Sequence, residues 1–77
     1  MLLNVLLLSP TEVLYEGRAK VVIVPGESGV FEVLPFHKRI LSRLISGTLY
    51  IDEQGVKIKR GVAKVDQNTV TMIVEEG

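Results

Sequence analysis

Turn-forming residues interrupt this chain at short intervals, and that punctuation limits what it can fold into. Ser9-Pro10, Gly17, Pro25-Gly26-Glu27-Ser28-Gly29, Pro35, Gly47, Glu53-Gln54-Gly55 and Asp66-Gln67-Asn68 leave only short runs between them. Those runs are rich in Val, Ile, Leu and Thr, and alanine occurs only at positions 19 and 63. Branched side chains in short runs bounded by breakers favour strands, whereas an amphipathic helix needs about 10 uninterrupted residues. About nine short strands at this spacing indicate an all-β antiparallel sandwich or flattened barrel.

The individual runs carry further detail. Leu2–Leu8 reads as a first strand and Val13–Tyr15 as a second that ends near Gly17. Ala19–Val24, almost continuously apolar, reads as a central strand covered on both faces. The turn Pro25–Gly29 and the strand Val30–Leu34 follow. Ile40, Leu41, Leu44 and Ile45 recur at helical spacing with Ser42 and Arg43 opposite, so periodicity alone predicts a two-turn helix there, with a strand as the rival. Thr48–Asp52 and Val56–Arg60 form a hairpin in which Val56 and Ile58 face inward and Lys57 and Lys59 face water. Gly61–Val65 leads to the turn Asp66-Gln67-Asn68, and Thr69–Glu76 closes the chain with Val70, Met72 and Val74 on one face.

Seventy-seven residues make one small domain. A chain this size hides only about 60–65% of its unfolded surface. It has no cysteine, so neither disulfides nor thiolate metal sites supplement the core. The hydrophobic fraction of 47% is high for so small a domain, which points to an apolar surface covered by a partner. Nine basic residues balance nine acidic ones, so the broad positive field of a phosphate-backbone binder is missing. The opening run of Leu2–Leu8 is too short to span a bilayer, which takes about 20 residues, and lacks the basic start of a secretory signal. The expectation is a soluble, cytoplasmic chain.

His37 is the only histidine. Catalysis would need a nucleophile and an orienting carboxylate beside it, and a metal would need further ligands; Glu32 is the nearest carboxylate in sequence. A structural or interface histidine is the favoured reading. Gly26-Glu27-Ser28-Gly29 lacks the Lys and Ser/Thr of a phosphate loop, and an acid inside a nucleic-acid-clamping GxxG loop would repel phosphate. It reads as a tight turn. Lys38, Arg39, Lys57, Lys59 and Arg60 make a small β-barrel that binds nucleic acid the alternative, but few aromatics accompany them, and Phe36 is the one expected to be exposed. No enzymatic, metal or cofactor constellation emerges, and an interaction module is what remains.

The order of features from "LSPTEVLYEG" through "VPGESGVFEVLPFH" and "LISGTLYI" to "NTVTMIVEE" resembles the amino-terminal domain of the ε subunit of F-type ATP synthases (the delta/epsilon family). The features that carry it are Ser9-Pro10, Tyr15-Glu16-Gly17, Pro25–Gly29, His37, Leu41, Leu44, Gly47, Gly61 and Val65. Two departures stand out: Lys38-Arg39 replace the usual Ala-Pro after the histidine, and Arg60-Gly61 replace Gly-Gly. The resemblance implies a β-sandwich of about ten strands. It implies a strand rather than a helix over Ile40–Ile45.

It also implies a non-catalytic rotor role without cofactor or metal, locking the γ subunit to the membrane ring of c subunits. Glu27, Ser28 and Gly29 would face the c ring. Ser9, His37, Lys38, Arg39 and Ser42 would face γ across about 800 Å² per partner. The chain would contact the membrane only through the ring, at the cytoplasmic face of a bacterial inner membrane, and would be monomeric when isolated. Family members continue into a helical hairpin, whereas this sequence ends at Gly77. A single domain over residues 1–77 is therefore expected, without hairpin inhibition or ATP binding.

Overall fold

The structure is a computed structural model describing residues 1–77. It contains eight strands and no helix: β1 (Leu3–Leu8), β2 (Val13–Ala19), β3 (Val22–Gly26), β4 (Gly29–Val33), β5 (Ile40–Leu44), β6 (Gly47–Ile51), β7 (Gln54–Asp66) and β8 (Thr69–Glu76). Their hydrogen-bonded order is β2-β1-β8-β7-β5-β3-β4, with β6 joining β3 to β7. The sheet folds over on itself, because inward residues of β1, β7 and β8 share one core with those of β3, β5 and β6. That core comprises 16 buried hydrophobic residues, and no polar or charged residue is buried.

Alternation explains which side chains enter the core. Leu3, Val5 and Leu7 of β1 are buried, as are Val70, Met72 and Val74 of β8, with the intervening residues facing outward. A period of two in a strand places every second side chain on one face. The same rule settles Ile40–Leu44. Leu44 is buried, Ile40 and Ser42 are half-buried, and Leu41 and Arg43 are exposed. Pairing of all five residues with Gly61–Val65 of β7 fixes the segment as a strand. Long-range pairing outweighs a helical spacing this short.

Three local expectations need correction. The runs Val56–Arg60 and Gly61–Val65 are one 13-residue strand, β7, with a register shift between Ile58 and Arg60. Gly61 is no junction: a Cβ there would lie 2.6 Å from the Ile73 carbonyl oxygen and 2.8 Å from Val74 Cγ1, so the strands pack this closely only around glycine. The central run also breaks earlier than its apolar content suggests. Ala19 ends β2, and β3 begins at Val22. The break is held by Asp52, whose Oδ1 accepts the N–H groups of Lys20 at 2.8 Å and Val21 at 3.1 Å. The merger of two runs into β7 brings the count to eight strands rather than nine or ten.

One pairing runs against the antiparallel expectation. β1 lies parallel to β8, from Asn4↔Thr69 to Leu8↔Ile73. The sheet is antiparallel elsewhere. β7 links the two layers. Its first half pairs with β6, and its second half lies between β5 and β8. The bulge at the register shift turns the strand from one layer into the other.

Candidate protein interface

The residues singled out in the sequence fall at two ends of the sandwich. Glu27, Ser28 and Gly29 form the exposed β3–β4 turn, with Gly29 at φ 129°. The turn is tied to β5 by the Glu27 N–H donating to the Arg43 carbonyl at 3.0 Å and by Ile45 N–H donating to Pro25 at 2.9 Å. Ser42 points to the same region: it lines an open groove with Glu27, Ser28, Gly29, Val30 and Phe31. Its hydroxyl donates to the Arg43 carbonyl at 3.0 Å.

Ser9 lies just past β1, whose Leu8 is aligned through Ile73 and Val62 with Arg43 of β5. It therefore belongs to the end that carries the turn. The Ser9 hydroxyl oxygen accepts the N–H of Thr11 at 3.3 Å and of Glu12 at 3.1 Å, organising the β1–β2 connection.

His37, Lys38 and Arg39 precede β5 and sit at the opposite end. Five residue-to-residue steps of extended chain lead from Arg39 to Leu44, a run of about 17 Å. Arg39 Nε lies 3.4 Å from Asp66 Oδ1, and both side chains are well exposed, so the pair adds little stability. His37 Nδ1 lies 2.7 Å from the Lys38 carbonyl oxygen. A carbonyl only accepts, so Nδ1 carries the proton. No carboxylate or hydroxyl bonds the ring, and no group of three His, Cys, Asp or Glu side chains is placed to hold a metal ion.

The residue just before His37 departs most from ordinary backbone. Leu34-Pro35-Phe36-His37 closes with His37 N–H donating to Leu34 at 3.1 Å, and Phe36 has φ 68°. Proline second and a positive φ third describe a type II turn, whose third position calls for glycine or asparagine. Phenylalanine there costs about 1–2 kcal/mol of backbone strain. Its N–H is bonded to Asn68 Oδ1 at 2.6 Å, and the residue is 76% exposed. Phe36 is exposed as expected, though not alone among the aromatics, since Tyr50 is 42% exposed; its strain and its bond to Asn68 leave no such trace in the sequence. The Pro-Phe order in "LPFH" is the only signal that was there to find. Asn68 was read only as part of a turn; it and Gln67 both have positive φ, as a two-residue type I′ hairpin requires.

The basic residues do not assemble into one track. Lys38 and Arg39 lie at the His37 end, whereas Lys59 and Arg60 flank the bulge at the other, with Arg60 Nε 3.3 Å from Glu75. Exposed apolar side chains are better organised. Val13, Ile73 and Val62, with the half-buried Leu8 between the first two, occupy one cross-strand row on the outer face of β2, β1, β8 and β7. Of these, Val13 is 56% and Ile73 54% exposed. Such a row on a solvated sheet face is what a protein contact surface needs.

Comparisons with known proteins agree with this architecture. The sequence model of the family described as "ATP synthase, Delta/Epsilon chain, beta-sandwich domain" matches residues 2–77. The ATP synthase epsilon chain of Leptospira borgpetersenii is 33% identical, over 97% of this chain and 62% of that one. That of Bordetella avium is 34% identical, over 92% of this chain and 54% of its own length. The chain thus spans between half and two thirds of the length of these relatives. A chain in the Tetrahymena thermophila mitochondrial ATP synthase central stalk/c-ring structure superposes with a TM-score of 0.82 at 16% identity, covering 96% of this chain and 63% of that one. At that identity the likeness speaks for the fold alone. With the family match running through every strand from β1 to β8, this chain belongs to the beta-sandwich domain family of the ATP synthase delta/epsilon chain.

Proposed function

We propose that the chain acts as a non-catalytic rotor component of an F-type ATP synthase, joining the γ subunit to the ring of c subunits during ion-driven ATP synthesis. The observation that carries this reading is the family match over residues 2–77, together with relatives named ATP synthase epsilon chain. The fold suits the task. A coupling piece must resist shear, and β7 belongs to both layers, so neither layer slides without breaking its ladder. Membrane association then comes through the ring, at the cytoplasmic face of a bacterial inner membrane.

Within this reading the two ends have separate partners. Glu27, Ser28 and Gly29 face the polar loops of the c ring, where the Glu27 carboxylate meets basic or amide groups through charge-assisted hydrogen bonds. His37, Lys38 and Arg39 face γ. Ser42 and Ser9 lie nearer the turn, so γ would have to run along the sheet to reach all of them. The test is retention of the domain by isolated γ and by isolated c ring, repeated with Glu27→Lys and His37→Ala. Glu27→Lys should weaken the ring contact and leave γ binding intact; His37→Ala should do the reverse. Failure of the unmodified domain to retain γ would overturn the reading.

A further inference from the structure

We propose that Phe36 is a preorganised aromatic anchor, inserted by this domain into an apolar pocket with an acidic rim on its protein partner. The inference rests on the rotor reading in one respect only: the partner at the His37 end is taken to be γ. Three independent facts meet at this residue. Its ring is 76% exposed and packs against none of the core. Its backbone holds a left-handed conformation that phenylalanine avoids and glycine adopts freely. That conformation is locked from two sides, by the turn bond from His37 to Leu34 and by the 2.6 Å bond to Asn68.

The lock reaches further. The Asn68 carbonyl accepts the Asn4 N–H at 2.8 Å, so β1, the β7–β8 turn and the β4–β5 loop jointly fix the backbone from which the ring projects. A folded domain gains nothing from a strained, solvated aromatic. Strain that the surrounding structure maintains is found where function uses it. A ring carried on a locked backbone has only its own side-chain torsions left to order on docking, and aromatic anchors of this kind dominate interfaces.

The chemistry of the pocket follows from the neighbours. Leu34 is also exposed, so the ring has an apolar neighbour in its own turn. Residues 34–39 include no acid, Lys38 is exposed and makes no ion pair, and Arg39, 76% exposed at its side chain, is paired within the domain with Asp66. An acidic rim complements Lys38, the unpaired cation beside the ring. A second copy of the chain would bring like charges together, and Lys38 with the Asp66-paired Arg39 falls short of the clusters of about 4–8 basic residues that hold a segment on anionic lipid.

The test uses Phe36→Gly and Phe36→Tyr in the whole chain, with binding to the γ subunit of its own ATP synthase followed by calorimetry. Phe36→Gly should melt at the same temperature or a few degrees higher, because glycine relieves the turn, yet bind γ at least tenfold more weakly. Phe36→Tyr, which keeps the ring, should bind within about threefold of the unmodified chain. Equal binding of γ by the glycine variant and the unmodified chain overturns the anchor while leaving the rotor reading intact. No binding of γ by the unmodified chain overturns both. Two further results would reassign the ring: binding to vesicles of equal phosphatidylglycerol and phosphatidylcholine that Phe36→Gly abolishes, or a dimer that the same change converts to monomer.

Discussion

Replacing Gly61 with alanine tests how the two halves of β7 are packed. The glycine pairs with Leu44 of β5 on one side and Val74 of β8 on the other. An added Cβ would stand 2.6 Å from the Ile73 carbonyl oxygen, 2.8 Å from Val74 Cγ1 and 3.1 Å from Val74 Cα. Two of these atoms are backbone, so no side-chain rotation clears the space and the β7–β8 ladder itself has to shift. Overpacking of this kind costs about 1–3 kcal/mol, and backbone atoms as obstacles place Gly61→Ala near the upper end. Alanine returns about 0.4–1 kcal/mol by restricting the unfolded chain, leaving about 2 kcal/mol net.

A domain of this length has on the order of 8 kcal/mol in hand, so the loss is a quarter of its stability. At about 4–8 °C per kcal/mol, the melting midpoint falls by about 10 °C in a thermal scan followed by far-UV circular dichroism. Gly17→Ala supplies the contrast. Its nearest neighbours are atoms of the Tyr15 ring at 3.5 to 3.7 Å, and its φ is not in the left-handed range. That variant should melt at the same temperature or slightly above. A Gly61→Ala midpoint equal to or higher than that of Gly17→Ala would refute the close-approach reasoning.

Met72 is fully buried in the middle of the core, so Met72→Ala should cost about 3 kcal/mol in a urea melt by leaving a cavity. Asp52→Ala removes the acceptor for two N–H groups and should cost about 1–2 kcal/mol, whereas Asp52→Asn, which keeps an acceptor oxygen, should recover at least half of that in the same measurement. Arg39→Ala breaks only an exposed ion pair and should move the unfolding free energy by less than about 0.5 kcal/mol. On the rotor reading, that variant should still bind γ more weakly in calorimetry.

The inward faces were legible because strands leave a period-two trace: Val70, Met72 and Val74 were placed correctly, as were Val56 and Ile58. The helical spacing of Ile40, Leu41, Leu44 and Ile45 points the wrong way and the strand implied by the family resemblance is what forms, since a run of six residues fits either period by chance and only its pairing with β7 decides. Gly61 looked like punctuation because sequence does not distinguish a glycine that lets the chain turn from one that lets a neighbour approach. The roles of Asp52 and Asn68 were invisible for a related reason. Each binds backbone far away in the chain, Lys20 and Val21 in one case and Phe36 in the other, and no local pattern records such a bond. The two-ended arrangement of the candidate contact residues likewise depends on strand order, and the parallel β1–β8 pairing that sets it leaves no local trace.

That pairing also sets the order of events when the chain is made. β1 can form a hairpin with β2 as soon as both are made, but its other edge stays open until β8, the last strand of the sandwich, has been synthesised. Until then the leucine-rich inner face of the hairpin is bare, and an uncovered edge of that kind invites pairing with other chains. The closing of β1 onto β8, a contact between the first and last strands of the domain, is thus the step expected to govern how fast the domain folds and how much of it is lost to aggregation on the way.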